Sequence, residues 1–286
     1  MKLHSEKSAM YDRAKRILKI ILDAVFPSKC LVCRGLFNFS AAPGSDKPTR
    51  KAFKVMDTST EFYQLLGAFC CPDCLKDFLA ISSPICECCG MMFKGRDDDN
   101  HRCGDCLMQP KAFRMARAAM VYDHQLMAVI HRFKYAGKTQ LARPLGLLIY
   151  GAYLRHWQDQ KLDLILPIPL HPKKMRHRGF NQSYLLINSW KSISSAMVDE
   201  INTIPVKTDV LVRTKATLPQ TGLGRQQRLH NIKGAFEVRM PEKVYGKHVL
   251  LVDDVYTTGA TVNECARMLL KAGAQVVDVL TVARAA

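Results

Sequence analysis

Apolar positions recur at helical spacing over residues 10–25, interrupted by Lys19 and Asp23, which predicts an amphipathic helix docked on the protein's own body. Between 41 and 51 the pattern gives way to Pro, Gly and charge, predicting an exposed flexible loop. Further on, 126–133 and 145–153 predict helices, with a basic turn at 134–137 between them. Residues 162–170 predict a strand, because Pro167 and Pro169 force an extended exit. A helical pattern follows at 184–190, and 209–212 and 235–238 predict short strands. The last unit is the clearest. Val249 to Val252 predict a buried strand, Val262, Cys265, Ala266 and Leu269 mark one face of a helix over 262–272, Gly273 ends it, and 276–282 predicts another strand. This strand–helix–strand unit predicts an α/β domain with a mostly parallel sheet flanked by helices.

Composition adds a partner class and a compartment. The chain carries 42 Lys and Arg against 25 Asp and Glu, a formal charge of +17, which points to an anionic partner such as nucleic acid or a polyphosphate. No membrane span or secretory signal pattern is visible, so a cytoplasmic location is expected, peripheral to a membrane only through partners. Thiols stay reduced there, and clustered cysteines point to metal rather than disulfides.

Ten of the eleven cysteines lie between Cys30 and Cys106. They form four Cys-x-x-Cys pairs, and two such pairs complete a tetrahedral zinc site. Taken in sequence order, Cys30, Cys33, Cys71 and Cys74 hold one zinc, and Cys86, Cys89, Cys103 and Cys106 hold a second. Four thiolates leave no open position, so both zincs are expected to be structural. Cys70 and Cys88 adjoin these positions and stay open as alternative ligands, whereas Cys265 reads as a packing residue.

Three further runs carry candidate chemistry. Asp253 and Asp254 follow the 249–252 strand, and Val255, Tyr256, Thr257, Thr258, Gly259, Ala260 and Thr261 lead into the helix. Backbone N–H groups, threonine hydroxyls and a helix N-terminus favour a phosphate at that turn, and the paired carboxylates can accept hydrogen bonds from ribose hydroxyls. The run from His171 to Ser183 precedes a helix on the same sheet edge, and its Arg178, Gly179, Asn181 and Gln182 suit a pyrophosphate. Arg213 to Phe236 is too polar for a core strand and reads as a long loop whose basic residues could close over a leaving pyrophosphate. Lys173, Lys174 and Arg176, with Lys47, Arg50, Lys51 and Lys54, are candidates for nucleic-acid phosphates.

Val249 to Thr261 resembles the signature of type I phosphoribosyltransferases, which bind phosphoribosyl pyrophosphate (PRPP). Together with the Cys-x-x-Cys pairs, Phe133-Lys-Tyr-Ala-Gly137, Pro167-Ile-Pro-Leu-His171, Arg178-Gly-Phe-Asn-Gln182, and the run 213–217 with Gln220, Arg228 and Asn231, the chain resembles the ComF family of competence proteins. The resemblance covers about Cys30 to Arg284 and departs from the family in the long insertion between Cys33 and Cys71. It implies a double zinc ribbon (29–110) and a type I phosphoribosyltransferase-like domain (111–286), preceded by the amphipathic helix that the apolar pattern predicts within 1–28. It further implies PRPP with Mg²⁺ across 253–261, single-stranded DNA and DNA-uptake or recombination proteins as partners, and a role in natural transformation. For an active transferase, Arg213, Arg228 and Asp254 are the catalytic candidates; a binding module would use the same site without turnover.

Overall fold

The computed structural model describes residues 28–37, 66–93, 95, 99–188, 190, 204–216, 227 and 231–285. The helix expected at 10–25, the insertion with Lys47, Arg50, Lys51 and Lys54, and Arg228 with residues 217–226 lie outside them. The described chain falls into two compact units, 28–37 with 66–77, and 78–285.

In the first unit, β1 (Ser28–Lys29) pairs antiparallel with β2 (Leu36–Phe37). Cys30 N–H donates to Gly35 and Arg34 N–H to Cys30, closing a tight return. Leu31 N–H bonds the carbonyl of Phe69, which ties this hairpin to the segment before α1 (Pro72–Lys76). Pro72 suits a first helical turn, whose N–H groups lack intrahelical partners.

The second unit is built on a four-stranded parallel sheet of order β3–β8–β7–β4, comprising β3 (Ala116–Val121), β4 (Leu164–Pro167), β7 (His248–Tyr256) and β8 (Val276–Arg284). Its helices are α2 (Gly104–Met108), α3 (His124–Tyr135), α4 (Ala142–Trp157), α5 (Pro172–Arg178), α6 (Gln182–Asn188) and α7 (Ala260–Lys271). The chain crosses from β3 to β4 in one direction and from β7 to β8 in the other. Right-handed crossovers therefore put α4 on one face and α7 on the opposite one. A separate antiparallel pair, β5 (Leu211–Arg213) and β6 (Phe236–Val238), brackets the polar run 214–235.

Several boundaries differ from the hydrophobic pattern. The expected 162–170 strand is only Leu164–Pro167, since pairing with β7 ends at Val252. β3 was not legible: Ala-Arg-Ala-Ala-Met-Val lacks β-branched residues until its last position, and pairing with β8 makes it a strand. The basic turn at 134–137 is partly helix, because α3 runs through Tyr135. The run after His171 contains α5, capped at its start by the His171 side chain with Pro172 as first helical residue, and at its end by Gly179 at φ +80°.

The amino-terminal edge of the sheet is locked by a buried carboxylate. Asp278 on β8 takes hydrogen bonds from Arg114 Nε at 3.0 Å and Trp157 Nε1 at 2.7 Å, and lies 2.8 Å from His248 Nε2. Burial pushes its pKa up, but His248, Arg114 and Trp157 outweigh that and hold it at about 2.

Candidate functional site

β7 does not stop at Val252, because β8 continues to pair with it as far as Tyr256 opposite Arg284. Asp253 and Asp254 therefore stand inside a strand, 8% and 3% exposed, at its carboxyl-terminal half. Successive strand residues face opposite sides, and the two carboxylates take different partners. Asp253 Oδ1 accepts from Ser183 Oγ at 3.0 Å and from the Asp254 N–H at 2.9 Å, which ties β7 to α6. Lys134 Nζ, from the last turn of α3, lies 2.9 Å from Asp254 Oδ2. Burial and then the adjacent Asp254 charge raise the Asp253 pKa to about 7. Burial would lower the pKa of Lys134, but the Asp254 carboxylate outweighs it and keeps the ammonium charged.

The turn beyond β7 depends on Gly259. Its φ is +74°, and a Cβ there would stand 2.2 Å from the Tyr256 hydroxyl. A side chain is excluded on both counts. Ala260 N–H faces Thr258 Oγ1 at 3.4 Å, and α7 starts at Ala260, so Thr257, Thr258 and the first N–H groups of α7 share one turn. Tyr256 is 4% exposed and packs its ring against this turn, edge-on to Phe113 and under the Arg284 guanidinium.

The run 171–183 divides by helix face. Lys173 and Arg176 are exposed, whereas Lys174 and Arg178, four residues apart on α5, are half-buried. Arg178 Nη1 donates to Gln182 Oε1 at 2.6 Å and lies over the Tyr135 ring at 5.0 Å. Burial, then the charges of Arg213, Arg178 and Lys134, lower the Lys174 pKa, while Asp254 opposes them. Lys174 thus belongs with the cations around the Asp pair, not with the exposed pair Lys173 and Arg176. Asn181 caps α6 through its Oδ1 and donates Nδ2 to the Ile168 carbonyl at 3.1 Å, so it anchors the run to the end of β4. Gln182 is buried. Arg213 is 9% exposed on β5 with its guanidinium over the Phe236 ring.

Both cysteine groups gather. In each of Cys30, Cys33, Cys71, Cys74 and Cys86, Cys89, Cys103, Cys106 the sulfurs lie within 4.8 Å of one another. Tetrahedral zinc with bonds of about 2.3 Å needs sulfurs about 3.8 Å apart. Cys33 to Cys71 is 3.8 Å and Cys89 to Cys103 is 3.7 Å, so the donor sets fit zinc. Burial raises the Cys30 and Cys86 thiols, but backbone N–H groups outweigh it and bring both to about 6, from Cys71, Cys33 and Val32 for Cys30 and from Cys103, Cys89 and Cys88 for Cys86. Cys70 and Cys88 stand outside both groups. Burial, aided by Cys30 and Cys71, pushes Cys70 up to about 12, the state of a packed thiol.

Residues 192–286 match the family described as the phosphoribosyl transferase domain. The chain is 32% identical to Competence protein F of Haemophilus influenzae over 219 residues, covering 75% of this chain and 90% of that protein. It is also 34% identical to DNA utilization protein YhgH of Escherichia coli K12 over 185 residues, covering 64% and 77%. The chain belongs to the ComF family. Competence protein ComFC of Bacillus subtilis is a more distant relative, 26% identical over 210 residues. As a ComF protein the chain has the type I phosphoribosyltransferase fold, and its paired cysteine tetrads fit a zinc ribbon. No helix among the described residues is long and apolar enough to cross a membrane.

Sequence reasoning missed Lys134. It sits beside Phe133 in a run that looked like a turn, and nothing local marks it as the partner of a residue 120 positions later.

Proposed function

We propose that this ComF protein binds PRPP with Mg²⁺ at the carboxyl-terminal end of β7 and binds single-stranded DNA on its exposed basic surface, serving DNA uptake in natural transformation. The observation that carries the reading is the placement of buried Asp254, paired with Lys134 of α3, a few residues before the Gly259 turn on the β7–α7 unit. In this reading Asp254 accepts from the ribose hydroxyls, and Asp253, held by Ser183, fixes the strand end. The turn 257–261 receives the 5′-phosphate through N–H groups and hydroxyls. Lys134, Lys174, Arg178 and Arg213 surround the carboxylates with positive charge, suited to pyrophosphate. When bound, Mg²⁺ neutralises polyphosphate charge; the oxygen-rich carboxylate pair suits such a cation. The names of the relatives, a competence protein and a DNA utilization protein, support the process. Zinc in the two tetrads would be structural, and a cytoplasmic site of action follows from the same reading.

Calorimetric titration with PRPP and Mg²⁺ tests the site. Binding is expected in the wild type, and Asp254→Asn is expected to weaken it about ten- to a hundredfold, the cost of a charge-assisted hydrogen bond. Absence of heat and of competition at millimolar PRPP refutes the reading.

A second reading is favoured by those same converging cations: transfer of the phosphoribosyl group to an acceptor, with pyrophosphate leaving toward Lys174 and Arg213. Arg228 would join them. Release of pyrophosphate in the presence of candidate acceptors separates turnover from binding.

A further inference from the structure

Two cavities, of about 180 and 70 Å³, open against the phosphate turn, and Thr258 and Lys111 line both. Lys111 lies in the segment between the second cysteine tetrad and β3. It is half-buried and has no hydrogen bond or ion pair with the described residues.

Its position is built from both sides. The next residue, Ala112, donates its N–H to Asn263 Oδ1 in the first turn of α7 at 2.8 Å. Phe113 is buried, edge-on to Tyr256 at 6.2 Å. Tyr256 in turn packs on Gly259. From the other direction Arg284 donates Nε to the Cys89 carbonyl at 2.7 Å, its Nη2 lies 3.1 Å from Cys89 Sγ, and its guanidinium covers the Tyr256 ring at 4.9 Å. A packed chain of residues therefore joins the second tetrad to the phosphate turn and places Lys111, unpaired among the described residues, on the wall of the cavities beside that turn. An anion in those cavities can accept from both the turn's N–H groups and the Lys111 ammonium, the latter a charge-assisted hydrogen bond. Asp105 also lines the larger cavity, so the anion belongs on the Thr258 side, where both cavities meet.

We propose that Lys111 is the side-chain cation for the 5′-phosphate of a phosphoribosyl ligand, delivered to the turn by the segment that leaves the second cysteine tetrad. This rests on the PRPP reading above. It assigns the phosphate-end affinity to a residue outside the β7–α7 signature, and makes the second tetrad a support for ligand binding.

Three probes test it by calorimetry: ribose 5-phosphate, PRPP with Mg²⁺, and inorganic pyrophosphate with Mg²⁺. Lys111→Gln is expected to lose about ten- to a hundredfold in affinity for the first two and to keep wild-type affinity for pyrophosphate. Lys111→Arg is expected to stay within a few-fold of wild type for all three. Unchanged thermal unfolding of both variants shows that the fold is kept; should Lys111→Gln unfold early, Lys111→Glu compared with Lys111→Arg reads the same contrast. Wild-type affinity of Lys111→Gln for ribose 5-phosphate overturns the assignment, as does an equal loss for all three probes. If the wild type binds none of the probes, the PRPP reading fails and takes this inference with it.

Discussion

Lys134 Nζ lies 2.9 Å from Asp254 Oδ2, joining the last turn of α3 to the end of β7 with side chains 19% and 5% exposed. Asp254 is buried and Lys134 half-buried before any ligand arrives, so the charge arrangement of the site is preformed. Asp254 Oδ2 is itself buried, and the Lys134 ammonium is its partner in the folded chain.

Breaking this pair from one side should be costly. Lys134→Met leaves Asp254 as an uncompensated buried charge and is expected to destabilise the second unit by about 3–5 kcal/mol. Adding Asp254→Asn should recover most of the loss, because the orphaned charge is removed. A double-mutant cycle by urea unfolding measures this, and additive losses would show that the two groups are not coupled.

Asp253 and His156 give opposite pH trends. Asp253, at about 7 in the folded chain against about 3.9 unfolded, contributes stability that is fully present below pH 4 and is lost as pH rises through 7. His156 is lowered to about 4 by burial, then by Arg117 and Arg155, so its contribution is present above about pH 6.5 and is lost as pH falls through 4. The trends offset each other in the wild type. Asp253→Asn is expected to unmask stability that rises with pH across this window, and His156→Gln stability that falls. Urea midpoints at several pH values decide it; identical slopes in both variants would contradict the assignment. Below about pH 4, Asp278 takes over, its contribution being lost as pH falls through about 2.

Elemental analysis is expected to find two zinc ions per chain, about one of which is lost in Cys33→Ser. The first tetrad has an exposed Cys33 and half-buried Cys71 and Cys74, whereas the second is buried throughout. A chelator should therefore withdraw zinc in two kinetic phases, the faster one absent from Cys33→Ser. A single phase for both ions would show that burial does not control exchange.

The two faces of α5 should separate DNA binding from PRPP binding. Lys173→Glu with Arg176→Glu is expected to weaken single-stranded DNA binding and reduce its salt slope by about 0.7 for each phosphate no longer neutralised, with PRPP affinity unchanged. Lys174→Gln is expected to do the reverse. Anisotropy titrations at several salt concentrations, paired with calorimetry, read both; loss of DNA affinity from Lys174→Gln alone would reassign that face.

The β7–α7–β8 unit was legible because its signals are local. A run of four apolar residues, a helical period ending at Gly273 and the Cys-x-x-Cys spacings are set by neighbours within a few positions. The two carboxylates and the threonine–glycine turn were legible for the same reason. The partners those residues meet were not. β3 is a strand because β8 pairs with it across the length of the domain, Ala116 opposite Val279, and β7 extends past Asp254 because β8 continues beside it. Lys134 finds Asp254, Lys174 turns inward while Lys173 faces solvent, and Lys111 comes to line the same cavities as Thr258 only once the sheet is assembled. Periodicity specifies which face of an element is apolar, but a charge acquires its role from the groups that packing brings within a few ångströms. Those distances exist only in the folded chain.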